Sequence, residues 1–109
     1  MTEQLSENEA IYHWQGKPLN EISLTDVLGA LSDPARLLII RQLKQDGACR
    51  CSDFKLGLSK STLSHHIKTL RLAGVIASCN QGTSRYNKLR EQELQQRFPG
   101  LLNAVLQAD

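Results

Sequence analysis

Aromatic side chains are scarce: only five of the 109 residues are Phe, Trp or Tyr, too few to line a large cofactor pocket. Three cysteines cannot close a disulfide framework, which needs an even and denser set, so the thiols are expected to be reduced inside a cell. No apolar run exceeds the four residues Leu37 to Ile40, far below the roughly 20 a membrane-spanning helix needs. The first ten residues carry Glu3, Glu7 and Glu9 and no base, the reverse of a secretory leader. The expectation is a cytoplasmic chain with no membrane partner. Charge of one sign is also lacking, because the formal net charge of +2 points to no partner by itself. The length fits one domain, residues 1–109, with no room for separate catalytic and regulatory units. A chain this short buries a modest fraction of its surface, and dimerisation is one way to bury more.

Helix signals punctuate what is present. Residues 3–14 read as a helix, with Leu5, Ala10, Ile11 and Trp14 available to pack, stopped by Gly16-Lys17-Pro18. Ser23-Leu24-Thr25-Asp26 has the S-x-x-D form of a helix start. Asp33 then caps a helix whose first position is Pro34, where a missing N–H costs nothing, and Gly47 closes it. Residues 48–58 read as an extended entry and one or two helical turns ending at Gly57. Ser59 caps the clearest amphipathic helix, residues 60–73, with Leu63, Ile67 and Leu70 on one stripe and Gly74 as its stop. Residues 75–79 and 84–90 read as strands of a hairpin around Asn80-Gln81-Gly82-Thr83. Residues 91–97 read as a helix, broken at Phe98-Pro99-Gly100 and followed by a last apolar stripe of Leu101, Leu102, Val105 and Leu106.

Charge resolved along the chain is more informative than its total. Residues 36–90 hold eleven Lys or Arg against two acids, Asp46 and Asp53, whereas the rest holds Lys17 and Arg97 against nine acids. A basic stretch in a nearly neutral chain is either a polyanion-binding surface or an ordinary solvated face. The 60–73 helix favours the first. With Leu63, Ile67 and Leu70 facing the core, steps of 100° place Ser61, Thr62, His65, Lys68 and Thr69 on the opposite face, with Lys60, Ser64 and Arg71 on its flanks. Hydroxyls, an imidazole and amines can bond both phosphates and base edges. A short helix, a glycine turn and this helix make a helix-turn-helix over about 51–73, whose second helix enters the major groove by its N-terminal residues. The hairpin at about 75–90 becomes a wing that carries Arg85 at its tip.

The strings ALSDPARLLIIRQL (30–43), LGLSKSTLSHHIKTLRLAGVI (56–76) and QGTSRY (81–86) resemble the ArsR/SmtB family of winged-helix repressors over roughly residues 22–90. The resemblance implies a mainly α fold with a small β-hairpin wing. It also implies a homodimer built through N- and C-terminal helices, which here are about 3–14 and 91–108. The partner it implies is double-stranded DNA, a palindromic operator near the chain's own promoter, released in many members when an inducer binds.

His65 and His66 are adjacent and point about 100° apart, so they cannot grip a metal as an i, i+4 pair. His65 fits a DNA contact, and His66 fits the core edge, bonded to backbone. His13 is read as structural. Zinc and nickel sensors of the resembled family often carry His and carboxylate ligands on the last helix. Here residues 91–109 have no His, and their acids are Glu91, Glu93 and Asp109. Cys49-Arg50-Cys51 can share a face only if the segment is extended at Cys49. Arsenic- and cadmium-sensing relatives carry C-x-C-D-L there, whereas Cys51 is followed here by Ser52-Asp53-Phe54. Arg50 and Lys55 are expected to lower a thiol pKa, which favours oxidation or ligation. Three readings stay open: small buried structural side chains, redox-responsive thiols, and an arsenite or soft-metal site at Cys49 and Cys51. No cofactor is otherwise required. Cys79 reads as a strand residue at the base of the wing.

Sequence-specific DNA-binding repression is therefore the leading function. A small enzyme would need a nucleophile, base and orienting group, and no such set is visible. A winged-helix module for protein contacts would bind no DNA.

Overall fold

Four local devices set the helix ends that position everything else. The computed structural model describes residues 13–108. Ser23 Oγ accepts from the Asp26 N–H at 3.2 Å and opens α1, Leu24–Leu31. Asp33 accepts from the N–H groups of Ala35 (2.8 Å) and Arg36 (3.2 Å), with Pro34 as first residue of α2, Pro34–Asp46. Ser59 caps α3, Lys60–Ala73, through the Thr62 N–H. Gly74 ends α3 in the left-handed conformation at φ 91°, donating to the Arg71 and Leu70 carbonyls. A side chain there meets a second obstacle, since a Cβ would stand 2.6 Å from Ile22 Cγ1.

The chain then forms β2 (Ile76–Gln81) and β3 (Ser84–Leu89), and ends in α4 (Glu91–Arg97) and α5 (Leu101–Gln107). Gly82 at φ 64° lets Gly82-Thr83 close the hairpin in two residues, as primed turns require, so Gln81 and Ser84 still pair. A short strand β1, Cys49–Arg50, joins β3, giving an antiparallel sheet in the order β1-β3-β2. The core is shared by all helices and one sheet face: Ile22, Val27, Ile39, Ile40, Leu70, Val75 and Ile76 are almost fully buried. Each such aliphatic side chain contributes about 1.5–3 kcal/mol. No helix among the described residues is long and apolar enough to cross a membrane.

The expected α-rich fold with a β-hairpin wing is present, with three departures. The first concerns the helix expected over 3–14. Most of it lies outside the described residues, but His13 and Trp14 are not helical, and Gln15 exchanges backbone hydrogen bonds with Ser78 (2.7 and 2.9 Å). The outer edge of β2 offers unpaired N–H and C=O groups, and the chain satisfies some of them. Trp14 also lies under the Lys88 ammonium at 4.7 Å. The second departure is residues 48–58, which form β1 and a single 3-10 turn, Cys51–Asp53, rather than helical turns reaching Gly57. Asp53 accepts the Arg50 N–H at 2.8 Å, and pairing of Cys49 with Asn87 draws the segment into the sheet. Third, Val75 is not part of the strand, because its N–H closes α3 on the Leu70 carbonyl at 3.0 Å. The break expected at Phe98-Pro99-Gly100 is present: α4 ends at Arg97, and Gly100 takes φ 82° ahead of α5.

Candidate nucleic-acid interface

The apolar stripe of α3 turns its polar side outward. Leu63, Ile67, Leu70 and Ala73 are buried, while Lys60, Ser61, Thr62, Ser64, His65 and Lys68 are exposed. The two remaining residues expected on this surface sit differently. Thr69 is half-buried and lines a cleft with Thr25, Asp26 and Gly29 of α1. Arg71 is half-buried at the end of α3, and burial, followed by the nearby charge of Arg85, pushes its pKa down. Arg85 itself is exposed near the wing tip. It pairs with Asn80, two rows along from Ser78–Asn87, and so shares the core-side face of the sheet. That brings it beside α3. Leu72, 59% exposed, lies next to the same α1 cleft.

Hydrogen bonding sorts the eleven bases of residues 36–90. Arg36 donates to the Ala30 carbonyl (2.6 Å) and faces His66 Nδ1 (3.1 Å). Arg41 donates to the Ala108 carbonyl at 2.9 Å. Lys44 pairs with Glu91, and Arg50 with Asp53 at 3.3 Å. Arg90 is buried between the Lys17 carbonyl (2.5 Å) and Glu93 (3.5 Å). Lys88 covers Trp14. The side chains of Lys55, Lys60, Lys68, Arg71 and Arg85 have no hydrogen bond or ion pair to any described residue. These five lie on α3, on the loop entering it and on the wing. Lys55 was one of the bases counted in the sequence, but no pattern there marked it as a site residue.

His66 departs from expectation in its partner, which is the Arg36 guanidinium rather than a backbone group. His65 is exposed, with its ring 6.1 Å from that of His66.

The cysteines lie at the base of the wing. Cys49, Asn87 and Ser78 form one row across the sheet. Ser78 Oγ donates to Asn87 Oδ1 (2.7 Å), and Asn87 Nδ2 donates to the Cys49 carbonyl (3.3 Å) and stands 4.0 Å from Cys51 Sγ. Cys49 is extended, the condition for sharing a face with Cys51. Its thiol is nevertheless not activated by Arg50 and Lys55. It is 4% exposed, and burial pushes its pKa up, with Asp53 and Asp46 adding to the rise against a Gln42 hydrogen bond. Arg50 is committed to Asp53 instead. Cys79 pairs with Tyr86 in the next row, so it points to the opposite sheet face from Cys49. Among the described residues, no group of three or more His, Cys, Asp or Glu is placed to hold a metal ion.

An outward polar helix seated by its apolar stripe, followed by a hairpin with a cation at its tip, is a winged helix-turn-helix. The family model described as bacterial regulatory protein, arsR family, matches residues 33–78, from the Asp33 cap into β2. The chain is 39% identical over 82 residues to an uncharacterized HTH-type transcriptional regulator, YceK, of Bacillus subtilis (strain 168), covering 72% of this chain and 82% of that one. The chain belongs to the ArsR family. It is also similar to the transcriptional repressor SdpR of the same organism, 32% identical over 88 residues, covering 79% of this chain and 97% of SdpR. As an ArsR-family member it is a DNA-binding transcriptional regulator, which is not an enzyme's role.

Proposed function

We propose that this chain is a repressor that binds a palindromic operator as a homodimer, reading bases with α3 and holding phosphates with the cations around it. The observation that carries this reading is the partition of bases: those engaged inside the protein are spread over the fold, and those whose side chains have no hydrogen bond or ion pair to a described residue gather at α3, the loop entering it and the wing. Ser61, Ser64, His65 and Lys68 read base edges, and Lys55, Lys60, Arg71 and Arg85 hold phosphates. The test is fluorescence anisotropy with a labelled duplex from upstream of the chain's own gene, titrated at several salt concentrations. Each phosphate contact should add about −0.9 to the slope of log affinity against log salt. His65→Ala and Lys68→Ala should weaken binding without lowering the melting temperature, since both side chains are exposed. Full affinity in both variants would remove α3 as the reading element.

The Asn87 contacts favour a second reading, in which oxidation at Cys49 and Cys51 releases DNA by disturbing the base of the wing. Joining the two sulfurs removes two protons and two electrons, which a peroxide takes up to become water. The same titration with reductant, hydrogen peroxide and arsenite separates the alternatives. Loss with peroxide alone supports the thiol switch. Loss with arsenite alone supports a metalloid site, and no loss leaves the cysteines structural.

A further inference from the structure

Arg36 belongs to the basic stretch by sequence, yet its guanidinium is turned inward and joins three helices. Nε donates to the Ala30 carbonyl, in the last turn of α1, at 2.6 Å. Nη1 lies 3.1 Å from His66 Nδ1 on α3. The Arg36 backbone N–H meanwhile donates to the Asp33 cap of α2 at 3.2 Å. Arginine has donors only, so the contact requires His66 to accept at Nδ1 and therefore to be the neutral Nε2–H tautomer. A lysine would supply the charge but not the planar fork that serves two acceptors in different directions.

This bond supplies something the core does not. Leu63, Ile67 and Leu70 seat α3 by apolar burial, which is non-directional and tolerates small rotations of a helix. A hydrogen bond at the flank of that stripe is directional. His66 is one residue, or about 100°, from His65 on the outward face. A turn of the helix about its axis would re-aim the side chains expected to read bases, and a misplacement on the order of 1 Å can weaken a hydrogen bond. We infer that Arg36 and His66 are a positioning pair that fixes the rotational setting of α3 against α1 and α2, and so sets which bases His65 and Lys68 meet, without touching DNA. The inference rests on the DNA-binding reading proposed above.

The full chain is titrated by anisotropy against the upstream duplex and an unrelated duplex of equal length, with circular dichroism melts alongside. The variants are Arg36→Lys, Arg36→Met, His66→Leu, His66→Gln and the Arg36→Met, His66→Leu double. Arg36→Lys, Arg36→Met and His66→Leu should each lose about tenfold affinity for the upstream duplex, with its salt slope and the affinity for the unrelated duplex unchanged. The double should lose no more than the weaker single, as coupled residues do. His66→Gln, whose amide oxygen can accept in place of Nδ1, should retain affinity. Full affinity in Arg36→Lys, with a smaller salt slope in Arg36→Met, would instead make Arg36 a phosphate contact and overturn the pair. Additive losses in the double, or equal losses on both duplexes, would overturn it too. Imidazole nitrogen NMR of the DNA-free protein reads the pair separately from the DNA-binding reading: the Nε2–H tautomer at His66 is expected, and Nδ1–H overturns the pair even if DNA binding stands.

Discussion

Cys49 and Cys51 are two residues apart but differ in environment. Cys49 is buried, its thiol donates to the Gly47 carbonyl at 3.3 Å, and burial raises its pKa. The thiolate is the reactive form, so Cys49 should be slow to react at neutral pH. Cys79 is 2% exposed, and Cys51 is half-buried. Under native conditions a thiol reagent such as iodoacetamide should therefore label Cys51 first, with Cys49 and Cys79 following only on unfolding. Mass spectrometry of the digested protein at short labelling times checks the order. Labelling of Cys49 as fast as Cys51 would contradict the burial argument and would favour a sensor in which both thiols are poised. The same scale explains why the charge count overstated the DNA face: Arg36, Arg41 and Arg90 spend their donors on backbone carbonyls inside this chain.

At the scale of elements, the sequence was legible wherever an end is made by neighbours in the chain. Asp33-Pro34, Ser59 and Gly74 stop or start helices by contacts within a few residues, and α2 and α3 begin and end there. The extended entry at Cys49 was legible, but its pairing into the sheet as β1 was not, because two residues carry no period and the partner Asn87 is 38 residues away. The tie between Arg36 and His66, 30 residues apart, was hidden for the same reason. On α3 the 100° rule identified the outward face, but it gave no sign that α1 would cover Thr69. The Asp33 cap carries a pH prediction. The N–H of Arg36 and then that of Ala35 hold its carboxyl below the usual carboxylate range, with desolvation opposing them. A depressed folded-state pKa means this stability is fully present above the ordinary carboxylate value, about 3.9, and is lost as pH falls through the lower folded value. Asp33→Asn keeps a capping oxygen but loses the titrating charge. The melting-temperature gap between the unmodified chain and Asp33→Asn should therefore close between about pH 5 and about pH 2. A gap that stays constant over that range would show that the carboxylate is not the source.

For the whole molecule, the question is what the two short C-terminal helices are for. Leu102 of α5 is buried in the core, but Leu101, Val105 and Leu106 remain half-buried, as does Leu37 of α2, while Leu38 is 50% exposed. Apolar surface left in this state on a small chain is what a second copy would cover. In the proposed homodimer the C-terminal helices α5 meet and the basic middle of each copy faces one half-site, so the apolar end and the basic middle have separate tasks. Val105→Asp places a charge where a partner would have to bury it, yet at a half-buried position where a single chain can still solvate it. The variant should sediment as a monomer and bind single half-sites. Its affinity for the full upstream duplex should fall by about 10²-fold or more, because the second half-site no longer binds at the effective concentration set by the first. The salt slope for one monomer bound to a half-site should be about half that of the dimer on the full duplex, since half the phosphate contacts remain. Sedimentation equilibrium and the salt titration together decide the matter. A variant that is still dimeric would move the interface away from α5, whereas a monomer that keeps full affinity and slope would mean that one winged helix-turn-helix suffices for the operator.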